Sequence, residues 1–193
     1  MFLAGERRRR YSWQMTETAI RTARPADLAA ITRIYAQAVE HGTATFELEP
    51  PVEAEMARRQ QMLLADGYPY LVTEVGGLVA GFAYAASYRA RPAYHWCVED
   101  SIYLAPQFRR RGLGAALLTR LVQEAAARDF RQMIAVIGDS TSIPSIALHA
   151  RVGFAHIGTL RSVGFKHGRW LDTVLMQRPL GGGDQTPPCS TRQ

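Results

Sequence analysis

Residues 98–114 read VEDSIYLAPQFRRRGLG. Val98 to Leu104 has the β-branched and aromatic residues of a strand, and Pro106 stops it. Arg109-Arg110-Arg111-Gly112-Leu113-Gly114 then opens a helix over residues 112–128, GLGAALLTRLVQEAAAR, rich in Ala and Leu. A strand that passes through a basic, glycine-containing turn into a long helix belongs to a layered fold of helices on a sheet.

The text on either side agrees. Upstream, Asp27 is placed to cap a helix with Leu28, Ile31, Ile34, Tyr35 and Ala38 on one face, and Pro50-Pro51 precede a second helix carrying Met56, Leu63 and Leu64. Tyr70 to Val75, the Gly76-Gly77 turn and Leu78 to Tyr88 form a hairpin pattern. Downstream, Gln132 to Ile137 is a continuous apolar strand of the kind buried on both faces, followed by a short helix over 144–151. Ala155 to Val163 and Trp170 to Gln177 close the chain as two strands. The order α-α-β-β-β-α-β-α-β-β predicts an α/β (α+β) architecture, a central mixed sheet flanked by helices.

The length of 193 residues suits one domain, expected over residues 18–180. Residues 1–17 form a basic leader, expected to be disordered, and residues 181–193, Gly- and Pro-rich, a flexible tail. The net charge of +6 raises the possibility of nucleic acid. Half of that excess, however, sits in the first 14 residues, where Arg7 to Arg10 face only Glu6. No nucleic-acid partner is therefore expected. The leader lacks the apolar core of a secretory signal, and no apolar run approaches the roughly 18 residues that span a bilayer. Cys97 and Cys189 make no disulfide framework, which points to a reduced, cytoplasmic protein. No metal-type spacing of His, Cys, Asp or Glu is present, so no metal is expected. Of the 23 basic residues only Lys166 is a lysine.

A helix N-terminus presents unpaired N–H groups and a partial positive charge, and glycines let a phosphate approach the backbone. The spacing around Gly112 fits neither the P-loop, since Gly114 is followed by Ala115-Ala116, nor G-x-G-x-x-G, since residue 117 is Leu. Two readings remain level: a pyrophosphate cradle, or an ordinary helix start with an exposed basic first turn. Three arginines at a helix N-terminus oppose the macrodipole, which makes the second less comfortable.

R-x-x-G-x-G between a strand and a long helix resembles the acetyl-CoA motif of the GCN5-related N-acetyltransferases (GNAT). GFAYAASYRARPAYHWCVEDSIYL, AVIGDS, SIALHARVGF and GTLRSVGFKHGRW are similar to the phosphinothricin and methionine sulfoximine acetyltransferases within that superfamily. The resemblance spans nearly all of residues 18–178. It implies the GNAT fold and transfer of acetyl from acetyl-CoA to the α-amino group of a small amino-acid analogue: methionine sulfoximine, methionine sulfone or phosphinothricin. Such acetylation would abolish mimicry of the intermediate in glutamine synthesis. A homodimer is implied as well.

Residue by residue, the resemblance implies that Ile102, Tyr103 and Leu104 bind the pantetheine arm through their backbone. Arg109, Arg110, Arg111, Gly112, Leu113, Gly114 and Ala115 cradle the pyrophosphate. Ser142 stands where the family usually has an Asn contacting CoA, and has a shorter reach. Glu99 is implied as general base, and His149 as a general acid. Arg89, Arg91 and Tyr94 are implied beside the amino-acid substrate, with Lys166 and His167 over the same pocket and Phe46 near it.

The chemistry fits these residue types. The attacking amine must be neutral, and burial raises a carboxyl pKa toward the working pH of a base. Asp100 is expected on the opposite strand face from Glu99, so that only one of them faces the cleft; the bland alternative for Glu99 is a solvated carboxylate paired with an arginine. Arg89 and Arg91, two apart, would share a strand face, and guanidinium forks bind oxyanions bidentately; the alternative is a solvated basic loop. Direct transfer is favoured, with an acetyl-Cys97 route the minor one. The rival functions are acetylation of another amine, such as a protein N-terminus or an antibiotic, CoA binding without catalysis, and nucleic-acid binding.

Overall fold

The computed structural model describes residues 17–188; the leader apart from Glu17, and Cys189, lie outside the described residues. The elements are β1 (Thr18–Thr22), α1 (Leu28–His41), α2 (Glu53–Ala65), β2 (Tyr70–Val75), β3 (Leu78–Ser87), β4 (Cys97–Leu104), α3 (Leu113–Ala127), β5 (Gln132–Gly138), α4 (Ile143–Arg151), β6 (Ala155–Lys166) and β7 (Arg169–Pro179). The strands form one seven-stranded sheet in the order β1-β2-β3-β4-β5-β7-β6. Every neighbouring pair is antiparallel except β4 and β5. This is the mixed, mostly antiparallel sheet that the sequence predicts.

Strand periodicity divides the core into two layers. Leu71, Ala83, Ala85 and Val98 face α3, whose Leu117, Leu118, Leu121, Val122 and Ala125 fall at helical spacing on one face. Tyr70, Val72, Phe82 and Tyr103 face the other way, onto Ile31, Ile34, Tyr35 and Val39 of α1 and Met56 of α2. Each fully buried aliphatic side chain contributes roughly 1.5–3 kcal/mol through removal of apolar surface from water.

Three readings change. A strand, β1, precedes α1 and pairs with β2; only five residues long and mostly exposed, it carries little apolar signal. Asp27 sits at the N-cap of α1 but does not cap it. Its carboxylate accepts from the Arg24 N–H at 2.7 Å and from the Arg21 guanidinium at 2.7 and 2.8 Å, tying β1 to the turn before the helix. In β5, Met133, Ala135 and Ile137 are buried but Val136 is exposed, so the strand is not covered on both faces throughout. The reason lies in β4, its neighbour.

Candidate active site

β4 and β5 run parallel, yet they pair only over Cys97–Asp100 and Gln132–Ala135. Beyond Asp100 they part. β4 stays on β3 through Leu104, while β5 continues along β7 to Gly138. The β5-facing backbone groups of Ser101 to Leu104 therefore have no strand partner. A polar backbone edge left open in this way can hydrogen-bond an extended chain laid into the gap. The gap is a cleft of about 320 Å³. Glu99, Ile102 and Tyr103 line it from β4, Val136 to Gly138 from β5, Ser142 and His149 from the α4 region, and Phe46 from the segment after α1.

At the end of β4 the chain turns through Pro106–Phe108 and enters α3. Gly112 takes φ +79°, where a Cβ would be strained, and is the N-cap of α3 with no side-chain cap. The first N–H groups of α3, at Leu113, Gly114 and Ala115, thus lack an intrahelical acceptor. Arg109, Arg110 and Arg111 are exposed around them; Arg109 donates to the Leu104 carbonyl at 3.2 Å and Arg111 lies over the Phe108 ring. A Cβ at Gly114 would press on Leu104 and Leu148 at 3.3 Å, so glycine permits the close seat of the helix start against β4 and α4. Free N–H donors and the helix dipole meet here next to three exposed arginines of the preceding loop, the combination that a pyrophosphate requires. This arrangement favours the cradle over the ordinary helix start.

Glu99 is partly buried beside the cleft. Burial, together with the charge of Asp100, pushes its carboxyl up to about 7, against a smaller opposing pull from Arg89. Asp100 corrects the expectation that only one of the two acids faces the cleft: both line it. The opening lies between two strands, in the plane of the sheet, so side chains from both faces of β4 border it. Asp100 is buried and meets His149 Nε2 at 3.0 Å, while His149 Nδ1 donates to the Ser145 carbonyl at 2.7 Å. Burial disfavours the charged imidazole, but the Asp100 hydrogen bond and charge outweigh it and raise its pKa.

The residues proposed around an amino-acid substrate are not all brought together. Phe46 lines the cleft, its ring against Gly138 and Gly164, where an added Cβ would lie 2.9 and 2.3 Å from it. Lys166 does not line the cleft. It is 4% exposed, and its ammonium donates to the Thr45 carbonyl at 2.9 Å. His167 Nε2 donates to the Gly42 carbonyl at 3.2 Å. Both pin the 42–47 segment that carries Phe46. Arg89 and Arg91 lie past the end of β3, so strand parity does not set their directions. They and Tyr94 are exposed and do not line the cleft, with Arg89 over the Tyr88 ring and Tyr88 edge-on to Tyr94. Arg89 nevertheless acts electrostatically on Glu99. Sequence reading missed Tyr35, Tyr84 and Thr45, which also line the cleft. Tyr35 sits within an apolar helix pattern, and nothing in its spacing separates it from the core. Its hydroxyl reaches Thr45 Oγ1 at 3.1 Å.

Residues 20–175 match the family described as the acetyltransferase (GNAT) domain. The chain belongs to the GNAT acetyltransferase family.

A phosphinothricin N-acetyltransferase of Alcaligenes faecalis is 50% identical over 169 residues, covering 88% of this chain and 86% of that protein. An L-methionine sulfoximine/L-methionine sulfone acetyltransferase of Salmonella typhimurium is 38% identical, over 83% of this chain and 94% of that protein. The crystal structure of a GNAT superfamily phosphinothricin acetyltransferase from Sinorhizobium meliloti in complex with acetyl-CoA superposes with a TM-score of 0.87 at 51% identity, covering 90% of this chain and 94% of that one. The chain is an acetyl-CoA-dependent N-acetyltransferase.

Proposed function

We propose that this GNAT enzyme acetylates the α-amino group of small amino-acid analogues of the phosphinothricin and methionine sulfoximine class, by direct transfer in a ternary complex. The carrying observation is that Glu99 and His149 border one cleft where β4 and β5 separate, immediately upstream of the α3 anion cradle. The relatives' named substrates supply the acceptor class.

The α3 cradle and Arg109 to Arg111 hold the pyrophosphate of acetyl-CoA, and Ser142 offers one hydroxyl in place of a longer amide. The open edge of Ile102 to Leu104 binds the pantetheine arm. Glu99, held near 7, takes a proton from the acceptor ammonium, which frees the nitrogen lone pair. The nitrogen attacks the thioester carbonyl, and β4 backbone N–H groups meet the oxyanion that forms. The C–S bond breaks, and His149 gives the proton that the leaving thiolate takes up. Holding both reactants in line supplies roughly 7–11 kcal/mol for well-oriented groups. Phe46, with Arg89, Arg91 and Tyr94, receives the amino acid.

A covalent route through Cys97 is disfavoured. Burial, with the Glu99 charge beside it, pushes the thiol up to about 11, so little thiolate exists near neutrality. The protein acts as a homodimer in this reading. β6 is an edge strand with Ile157, Leu160, Val163 and Phe165 exposed, next to exposed Trp170, an apolar edge that a second copy would cover. It works in the cytoplasm; among the described residues no helix is long and apolar enough to cross a membrane.

Thiol release from acetyl-CoA on adding methionine sulfoximine, methionine sulfone or phosphinothricin tests the proposal. Turnover that is highest with a protein N-terminus or an aminoglycoside would replace the substrate class. Tight CoA binding without turnover across the panel would overturn catalysis itself.

A further inference from the structure

Asp100 and His149 form a pair that the mechanism so far uses only in part. Both are buried, at 6% and 2% exposure, and both line the cleft. His149 Nδ1 faces the Ser145 carbonyl, which can only accept, so Nδ1 carries a proton. His149 Nε2 faces Asp100 Oδ2 at 3.0 Å, and a proton must lie between those two atoms. The pair therefore stores one transferable proton and is neutral as a whole, the condition under which a buried ion pair is tolerable. Phe154 packs edge-on to the imidazole at 5.2 Å and fixes its plane. The second carboxylate oxygen, Oδ1, is buried with no hydrogen-bond partner among the described residues, so Asp100 is committed to His149 alone.

We infer that Asp100 is the positioning residue that orients His149 and keeps it loaded with the proton delivered to the coenzyme A thiolate. This rests on the acid role proposed for His149 and extends it. As the C–S bond breaks, its electron pair stays on sulfur. The Nε2–H, shared between Asp100 Oδ2 and the sulfur in a three-centre hydrogen bond, breaks from nitrogen; the proton passes to sulfur, and CoA leaves as the thiol. His149 is then neutral with Nδ1 still protonated. The pair is left with one negative charge in a poorly solvated site, and a proton from solvent restores it. The proton that Glu99 removed from the acceptor goes to solvent separately, so one proton is released per turnover.

Few other groups act on the pair. From β4 there is Glu99 and, through it, Arg89; from β5 the cleft takes Ala135 to Gly138, none titratable; from β7, Thr173. The buried face of α3 is Leu113, Gly114, Leu117, Leu118, Leu121, Val122 and Ala125, without charge. On α4 itself, Arg151 is exposed in the last turn. Tyr35, Tyr84 and Tyr103 also line the cleft and Cys97 lies by Glu99, but burial pushes all four up, so the pH response near neutrality should report His149 and Glu99.

Asp100→Asn removes one negative charge that raises both Glu99 and His149. Both limbs of the bell-shaped profile of kcat/KM should move to lower pH together, the alkaline one by about one unit or more. kcat should fall about 100-fold, the usual size of a lost acid, with KM for acetyl-CoA within about threefold. A packing defect would lower activity without moving the limbs. The His149 imidazole, assigned in NMR spectra by its loss in His149→Ala, should lose its proton at lower pH in Asp100→Asn than in wild type. Asp100→Glu, which restores the charge, should recover part of both effects. Thermal unfolding with and without acetyl-CoA checks folding, and Asp100→Ser replaces Asp100→Asn if that variant does not fold. If His149→Ala loses kcat while Asp100→Asn keeps the wild-type rate and limbs, the inference about Asp100 is overturned and the acid role stands. If His149→Ala keeps kcat, the acid role fails, and the inference with it.

Discussion

The ammonium of Lys166, the last residue of β6, donates to the carbonyl of Thr45 at 2.9 Å, joining two positions 121 residues apart in the chain. Burial lowers the lysine pKa, with the nearby Glu47 charge in partial compensation. The contact holds the segment on which Phe46 stands, and Phe46 in turn closes the cleft against Gly138 and Gly164. The single lysine of the chain is thus a strap, placed by burial at a site with room for a compact ammonium.

Lys166→Ala should therefore loosen Phe46 rather than remove a substrate contact. KM for the amino acid is expected to rise several-fold, with KM for acetyl-CoA nearly unchanged. Lys166→Arg forces a larger, planar head into a site 4% exposed and should behave similarly. Steady-state kinetics in both substrates checks this, and Lys166→Arg with wild-type constants would remove the role.

Glu99→Gln should lower kcat/KM by about 100-fold or more, the range for a lost general base. The sign of the pH dependence follows from the raised carboxyl. The base works only when ionised, so wild-type kcat/KM should rise with pH through about 7 and fall away below it. Glu99→Gln should lose that acid limb. Rates measured between pH 5.5 and 8.5 settle the matter.

Arg89→Ala and Arg91→Ala should raise KM for the amino acid far more than for acetyl-CoA. They should also differ from each other. Arg89 stabilises the ionised Glu99, so its removal should move the acid limb to higher pH. Equal effects on both substrates would sink the assignment of the pair to the acceptor.

Gly112→Ala places a Cβ in open space but at φ +79°, so its cost is conformational, about 1–2 kcal/mol. KM for acetyl-CoA should rise as the α3 N–H groups are displaced, with KM for the amino acid unaffected. Chemical denaturation and titration with CoA measure the two effects separately.

Much of this was legible in residues 98–114. The strand, the proline stop, the glycine turn and the helix lie within a few residues of each other, and their signals are local: side-chain alternation, a fixed φ, a helix start. The same holds for the β2–β3 hairpin, whose Gly76-Gly77 turn joins two patterned strands. β1 was not legible, because five half-exposed residues carry little periodicity and become a strand only by pairing with β2. Glu99 is legible through the family resemblance, since a lone strand carboxylate by itself reads equally as a solvated group paired with an arginine. Asp100 was assigned away from the cleft by an alternation rule that holds for a sheet face and fails where two strands separate.

The sequence by itself determined the elements from α1 onward, the layered fold and the family, because these rest on local patterns and on stretches of matching residues. Only the tertiary structure decided who meets whom across the cleft. The partnership of Asp100 with His149, the strap from Lys166 to Thr45 and the pull of Arg89 on Glu99 each join segments brought together by the sheet order. The divergence of β4 and β5 exists in neither strand alone. It arises because each follows a different outer neighbour, β3 or β7, once their own pairing ends.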